Sequence, residues 1–423
     1  METKKIKVVW VCSVSNAEIR KHLAFKNDIL SRTFNSNPNL DLAQWNTNAI
    51  NEFKNFEDIE LHIISKHKHL KYNLTEFVEG GIHYHIFKSE DDYNLFKLKR
   101  KFFKRKYALL EYKKNTNTIC SLIDRINPDI VHFIGAELQH TSSAAPAVDK
   151  KYPLLVSLQT LVNDPQFFKN YTYNEKHYKY ISNIEKNTLK RADYICTNVE
   201  LFKKIILEEL KPDAKILNMR LALGEKVAIH NTPKEYTFVY FALNISKAAD
   251  WAIEAFALAQ KEFPEITLNI VGGYSQQFKE VLDKRIVELN IKENVIFSGS
   301  LPTHDDVISQ IRKSKFAILP LKIDLIAGTI REAIANGLPV VTTITPGTPK
   351  LNVKRETLIL SEKEDFKAMA NNMIKLLSDE GYVNQIKENI KLTIDETYNN
   401  TAAINEWRKE YYNIKETWGK IKE

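Results

Sequence analysis

Residues 316–343 read FAILPLKIDLIAGTIREAIANGLPVVTT, and this segment restricts the fold more tightly than any other. An apolar run at 316–320 has the character of a buried strand. A loop follows, and Gly328 opens a helix through Thr329 and Ile330 into 331–336. Gly337 stands where a helix C-cap needs a left-handed residue, and Pro339 forbids continuation. Pro339 leads directly into a second buried strand at 339–343. A strand, a helix and a strand in so short a span make a βαβ unit, which requires a parallel sheet.

The same alternation runs through the chain. Expected strands lie at 6–12, 59–65, 82–87, 129–134, 154–158 and 194–197 in the first half. They are near-continuous apolar runs, as strands covered on both faces of a parallel sheet should be. A second series begins after Pro233, with expected strands at 237–243, 266–271, 295–298, 316–320, 339–343 and 357–360. Helical patterns separate most of them. From 363 onward the chain reads as mostly helical. The chain is therefore expected to be α/β, with two similar Rossmann-like halves that meet near residues 225–235.

The helix opened by Gly328 has the physics of an anion site. Its first amides have no intrahelical acceptors and carry partial positive charge. Gly328 has no side chain to keep a phosphate away from the backbone. Glu332 lies about one turn further in. From there a carboxylate can accept hydrogen bonds from sugar hydroxyls next to that phosphate.

Composition narrows the setting without choosing a ligand. The net charge of +8 favours an anionic partner. The three cysteines, Cys12, Cys120 and Cys196, are far apart and show neither a disulfide framework nor a metal pattern. They read as buried thiols in a reducing, cytoplasmic compartment. The apolar run 8–14 near the N-terminus reads as a buried first strand, not a signal peptide. No run approaches the ~18 apolar residues a spanning helix needs. No cluster of carboxylates or histidines suggests a metal site, and no cofactor is expected.

These motifs together resemble the retaining family 4 glycosyltransferases of GT-B fold. That family's signature is an acidic residue, seven others and a Glu, followed by a helix and G-x-P-V-[VI]. Here Asp324 and Glu332 are followed by AIANGLPVV. The resemblance implies two Rossmann-like domains facing each other across a cleft, with a C-terminal helix crossing back to the N-terminal domain. The implied domains are 1–230 for the acceptor, 231–395 for the nucleotide-sugar donor and 396–423 for the returning helix. It assigns Glu332 to the nucleotide ribose and Asp324 to the donor sugar. Gly328, Thr329 and Ile330 are assigned to the diphosphate.

The resemblance covers nearly the whole chain. FALNISKAAD at 241–250 is similar to the family's G-R-L-x-x-E-K-G-x-D segment and places Lys247 at the phosphate. Val271-Gly272-Gly273 matches a glycine turn, and Phe297-Ser298-Gly299 matches the loop that meets the nucleobase, implicating Ser298 and Gly299. PDIVH at 128–132 and EKNTLKRAD at 185–193 also fit, with Glu185 and Lys186 read as structural. Catalytic roles then fall to Asp324, Glu332 and Lys247.

Several positions depart from the pattern. Asp324 replaces the usual Glu, and Ala242 stands where a phosphate-binding Arg is expected, with Arg331 and Arg220 as candidate replacements. On the acceptor side the usual glycine-rich loop reads Ser13-Val14-Ser15-Asn16. Gln159 occupies the place of a His near the reacting sugar and cannot titrate. Acceptor-side candidates are therefore Ser13, Ser15, Asn16, Gln159 and His132, with His140 as a further replacement for the missing imidazole.

KLKRKFFKRK at 97–106 holds seven basic residues in ten. Lys99, Arg100, Lys101, Phe103, Lys104 and Arg105 would suit an anionic membrane surface, and a solvated helix accounts for them equally well. No nucleic-acid motif accompanies them, so no nucleic-acid partner is expected.

The expected activity is metal-independent transfer of a sugar from a UDP- or GDP-sugar. The expected acceptor is a glycan or lipid-linked molecule of surface-polysaccharide assembly, at the inner face of the plasma membrane. A nucleotide-sugar 2-epimerase and a catalytically degenerate nucleotide-binding protein of the same architecture are the alternatives.

Overall fold

The computed structural model describes residues 5–26, 41–67, 69–92, 111–165, 175–220, 222, 232–244, 248–322, 328–345, 347–397 and 399–422. The chain divides into two compact units, Met1–Ala222 with Asn400–Glu423, and Leu223–Asn399.

Unit 1 holds an eight-stranded sheet. In chain order its strands are β1 Ile6–Val11, β2 Ile59–His67, β3 Leu74–Glu79, β4 Ile82–Lys88, β5 Ile130–Ile134, β6 Leu154–Ser157, β7 Tyr194–Cys196 and β8 Lys215–Leu217. Their spatial order is β3-β4-β2-β1-β5-β6-β7-β8. Every pairing is parallel except β3 with β4. The sequence IKVVWV of β1 is buried along almost its whole length. Its neighbours β2 and β5 supply ladder partners on both sides, so β-branched residues can pack on both faces. The edge strand β3 and the last strand β8 are additions to the strands expected from sequence, whereas β4 falls where one was expected.

The helix Asn400–Lys422 belongs to this unit. Ile404, Trp407, Tyr411 and Ile414 fall on one helical stripe and are buried in the same core as Trp10, Phe53 and Ile130. Trp10 and Trp407 pack with ring centroids 5.3 Å apart. At its edges the helix is tied down by Arg408 and Tyr412 to Asp58 and by Trp407 Nε1 to the Arg220 carbonyl.

Unit 2 holds a six-stranded parallel sheet: β9 Tyr236–Asn244, β10 Leu268–Gly273, β11 Val295–Gly299, β12 Ser314–Ile318, β13 Val340–Thr343 and β14 Leu358–Ser361. The spatial order is β11-β10-β9-β12-β13-β14. Relabelled by sequence this is 3-2-1-4-5-6, the doubly wound order whose direction of winding reverses beside the first strand. Alanines along the helix Ala249–Gln260 let it lie close to the sheet, where Ala252, Ala255 and Ala259 are fully buried.

Among the described residues no helix is long and apolar enough to cross a membrane. The positions of the basic stretch, Lys99, Arg100, Lys101, Phe103, Lys104 and Arg105, lie outside the described residues.

Candidate functional site

In unit 2 the winding reverses between β9 and β12. Open α/β sheets bind ligands at the carboxyl ends of the strands flanking such a point. β9 ends there at Asn244, and the loop after it carries Lys247, outside the described residues. β12 leads through 323–327, also outside them and containing Asp324, into the helix Gly328–Ala335. The fold therefore directs a helix N-terminus to the edge where an anion would bind.

The helix starts at Gly328, which is exposed; among the described residues, and apart from its chain neighbours and its helix's own backbone, nothing lies within 4 Å of where a Cβ would stand. Thr329 is half-buried, and Ile330 is fully buried in the unit 2 core, anchoring the first turn. At the other end Gly337 adopts φ +74°. Gly337 N donates to Ile334 O, and Leu338 N donates to Ala333 O, at 2.8 and 3.0 Å. These are the two bonds of a Schellman ending. They stop the helix and aim Pro339 into β13.

Glu332 is 24% exposed, and its Oε1 lies 3.8 Å from His304 Nε2. Burial raises its pKa, and the nearby imidazole opposes that shift. His304 was not among the expected residues. It sits at the start of the helix His304–Ile311, fixed by a capping box between Thr303 and Asp306. The T-H-D-D string was the available signal for that helix start, but only the fold places it beside Glu332.

At the end of β11 the Ser298 hydroxyl donates to Asn269 Oδ1 at 2.7 Å and accepts from Gln310 Nε2 at 3.0 Å. Its side chain is thus committed internally, leaving its backbone for a ligand. Gly299 follows with φ +69°. Tyr274 is 40% exposed and meets Phe297 edge-on at 6.2 Å. Beside the switch point, Lys322 Nζ binds Asp250 Oδ2 at 2.6 Å, a link between the β12 loop and the Ala249 helix that the motifs did not reveal.

In unit 1 the corresponding reversal lies between β1 and β5. Ser13, just past β1, has its Oγ 3.3 Å from His140 Nε2, in the short helix Gln139–Ser142 that follows β5. The pair spans the switch point. Ser15 is 1% exposed, and its hydroxyl is held by His67 Nε2 at 3.2 Å and Arg20 Nη1 at 3.1 Å. Asn16 caps the helix Ala17–Arg20, its Oδ1 accepting from Ile19 N at 2.8 Å. Ser15 and Asn16 therefore shape the loop, while Ser13 faces His140. Gln159 follows β6 and is half-buried.

One expectation needs correction. His132 is fully buried, and both ring nitrogens are engaged, Nδ1 by Tyr411 and Nε2 by Ser157, each at 2.7 Å. Burial holds its pKa down to about 3. A sealed, neutral imidazole cannot touch an acceptor, so His132 is a core residue. Arg220, a candidate for the missing phosphate-binding Arg, lies in unit 1 and pairs with Glu406 of the C-terminal helix.

The structural reading of Glu185 agrees with the geometry. It is fully buried, and its carboxylate accepts from the backbone N–H groups of Val162 and Asn163, both at 2.8 Å. The three cysteines are free thiols; Cys12 and Cys196 are buried, and Cys120 is half-buried.

Residues 225–393 match the family model described as glycosyl transferases group 1. An uncharacterized glycosyltransferase of Haemophilus influenzae is 26% identical over 163 residues, covering 38% of this chain and 44% of that one. A poly(glycerol-phosphate) alpha-glucosyltransferase of Bacillus subtilis is 27% identical over 186 residues, covering 43% and 26%. The chain thus spans less than half the length of these curated relatives. Sucrose-phosphate synthase from Thermosynechococcus elongatus superposes with a TM-score of 0.67 at 15% identity, covering 97% of this chain and 99% of that one. That likeness is one of fold. Residues 225–393 accordingly match glycosyl transferases group 1, within an α/β architecture of the GT-B type with two Rossmann-like units.

Proposed function

We propose that this chain is a retaining glycosyltransferase that moves a sugar from a UDP- or GDP-sugar to a glycan or lipid-linked acceptor. The observation that carries the reading is the Gly328 helix, whose open N-terminus follows β12 at the switch point of the domain that matches group 1.

The donor is held by unit 2. The amides of Gly328, Thr329 and Ile330 hydrogen-bond the diphosphate, and Lys247 adds a point charge to it. Fixed donors aimed at the departing phosphate stabilise charge that grows only as the glycosidic bond breaks. Glu332 accepts hydrogen bonds from the ribose hydroxyls, Asp324 orients the donor sugar, and the backbone at Ser298 and Gly299 meets the base. The acceptor is held by unit 1 near Ser13 and Gln159, with His140 as the titratable group. These phosphate contacts supply the neutralising charge, so the transfer needs neither a metal nor a cofactor. A role in surface-polysaccharide assembly at the inner membrane face, with 97–106 on anionic lipid, is the setting we infer.

A panel of UDP- and GDP-sugars screened for thermal stabilisation identifies the donor, because a ligand that binds only the folded state raises Tm. The partner measurement is release of nucleoside diphosphate by the wild type and by Glu332→Ala. Undiminished turnover in Glu332→Ala would sink the assignment. Stabilisation without turnover over a broad acceptor panel would identify a nucleotide-binding protein instead, and accumulation of an epimerised donor would identify an epimerase.

A further inference from the structure

Three strands of unit 1 gather a cluster that the sequence separates. β2 contributes Glu60 and His62, two residues apart and so on one face. β4 contributes His83 and His85 to the same face, because His62 pairs with His83 in the parallel ladder. β3 contributes Glu76 opposite His85. The side-chain donor atoms of Glu60, His62 and His83 all lie within 4.8 Å of one another. The His62 and His83 rings stack at 4.5 Å.

Counting protons makes the cluster more than a hydrogen-bonded surface. Glu60 Oε1 lies 2.8 Å from His62 Nε2, His62 Nδ1 lies 3.0 Å from His85 Nε2, and His85 Nδ1 lies 2.5 Å from Glu76 Oε1. Each contact needs one hydrogen between its two atoms. Two neutral imidazoles supply two hydrogens for three contacts. One contact is left with lone pair facing lone pair unless a further positive charge enters the chain. With Glu76 also taking Arg125, the natural polarity runs from His85 Nδ1–H to Glu76 and from His62 Nδ1–H to His85. The bare lone pair is then His62 Nε2, facing the Glu60 carboxylate. His83 makes no ring-nitrogen hydrogen bond among the described residues and stands beside that gap.

We propose that Glu60, His62 and His83 bind one divalent transition-metal ion of the zinc class. Imidazole and carboxylate suit that class, at ~2.0–2.2 Å from the ion. A tetrahedral ion supplies the positive charge that the contact left without a hydrogen lacks. His85 and Glu76 then orient His62 from behind, the usual support of a metal-bound imidazole. The Glu60 side chain is 31% exposed, so a water can complete the coordination. Lys7 Nζ lies 3.5 Å from Glu60 and is 34% exposed, free enough to swing aside. The cluster lies at the starts of β2 and β4, at the other end of these strands from the β1 loop of Ser13. Its role is to clamp the β3–β4 edge hairpin to the sheet.

The test uses tag-free, chelator-stripped full chain. Cobalt(II) titration should give the visible absorption of tetrahedral coordination at one equivalent, displaced by zinc(II). Competition against a chromophoric chelator should show His62→Gln and His83→Gln each weakening zinc binding by at least about tenfold, with Glu76→Gln weakening it less. Circular dichroism checks that the variants fold; His83→Gln, on a half-buried position, keeps the test open if His62→Gln does not. Absence of a tetrahedral cobalt spectrum, or equal zinc affinity in wild type and both folded variants, overturns the proposal.

Discussion

The Tyr411 hydroxyl lies 2.7 Å from His132 Nδ1, joining residues 279 positions apart. The Trp10 indole N–H, which can only donate, also meets that hydroxyl at 2.8 Å. The hydroxyl's own proton is then available for His132 Nδ1, an arrangement in which the imidazole proton sits on Nε2 and reaches Ser157 Oγ. Four buried polar side chains from β1, β5, β6 and the C-terminal helix are satisfied by one directed chain.

Tyr411→Phe breaks this chain at its centre. It strands the Trp10 N–H and the His132 lone pair inside the core. We expect a loss of about 1–3 kcal/mol, the cost of an unpaired buried group. Urea unfolding of the two proteins measures it. A midpoint unchanged from wild type would contradict the chain.

His132 also makes unit 1 sensitive to acid. Its folded pKa, about 3, lies below the ordinary histidine value, so the native state holds it neutral. The unfolded chain takes up the proton below about pH 6.5. Its contribution to stability is therefore complete above that pH and declines as pH falls toward about 3, at about 1.4 kcal/mol per pH unit. His132→Gln should flatten that part of the stability–pH curve even while lowering stability at neutral pH.

Gly328→Asp separates ligand binding from folding. A carboxylate near a helix N-terminus favours the helix by about 0.3–1 kcal/mol, and no neighbour obstructs the new side chain. The free protein should melt at or above the wild-type temperature. The same charge repels a diphosphate, so stabilisation by the cognate nucleotide should vanish. Retained nucleotide stabilisation would remove the phosphate from this helix.

Gly337→Ala tests the Schellman ending. At φ +74° a Cβ is strained even though the space around it is open. About 1–2 kcal/mol of stability should be lost, read as a lowered thermal midpoint of unit 2.

Glu185→Ala removes the acceptor for two loop amides. Burial raises the Glu185 pKa to about 7, and the Val162 and Asn163 N–H groups hold it from rising further. Leaving those N–H groups unpaired should cost about 2 kcal/mol or more. Because the folded pKa lies above the unfolded one, wild-type Glu185 favours folding less as pH rises from about 4.3 to about 7. The stability difference between wild type and Glu185→Ala should narrow across that window.

Much of the fold is visible along the chain because burial on both faces imposes its own composition. IKVVWV of β1 and the 316–343 segment announce buried strands, and Gly337 and Pro339 announce where a helix stops. β3, LTEFVE, is half-exposed at a sheet edge, and β8 has three residues; neither carries enough apolar contrast to stand out. Glu332 was legible because its spacing from the glycine is local. His304 beside it was not, since the helix that brings it there follows a different strand.

The sequence alone determined the alternation of strands and helices, the two α/β halves and the helix opened by Gly328. Those are matters of local periodicity and backbone preference, written in neighbouring residues. Only the tertiary structure decided the fate of the histidines. PDIVH places His132 at the heart of a strand, and nothing nearby says whether it faces a ligand or a core. The tyrosine that silences it arrives from the last helix of the chain. Likewise Glu60, His62 and His83 become one cluster only because β2 pairs with β4 in that register. Long-range pairing sets which polar groups share a neighbourhood, and a group's partners fix its charge and its chemistry.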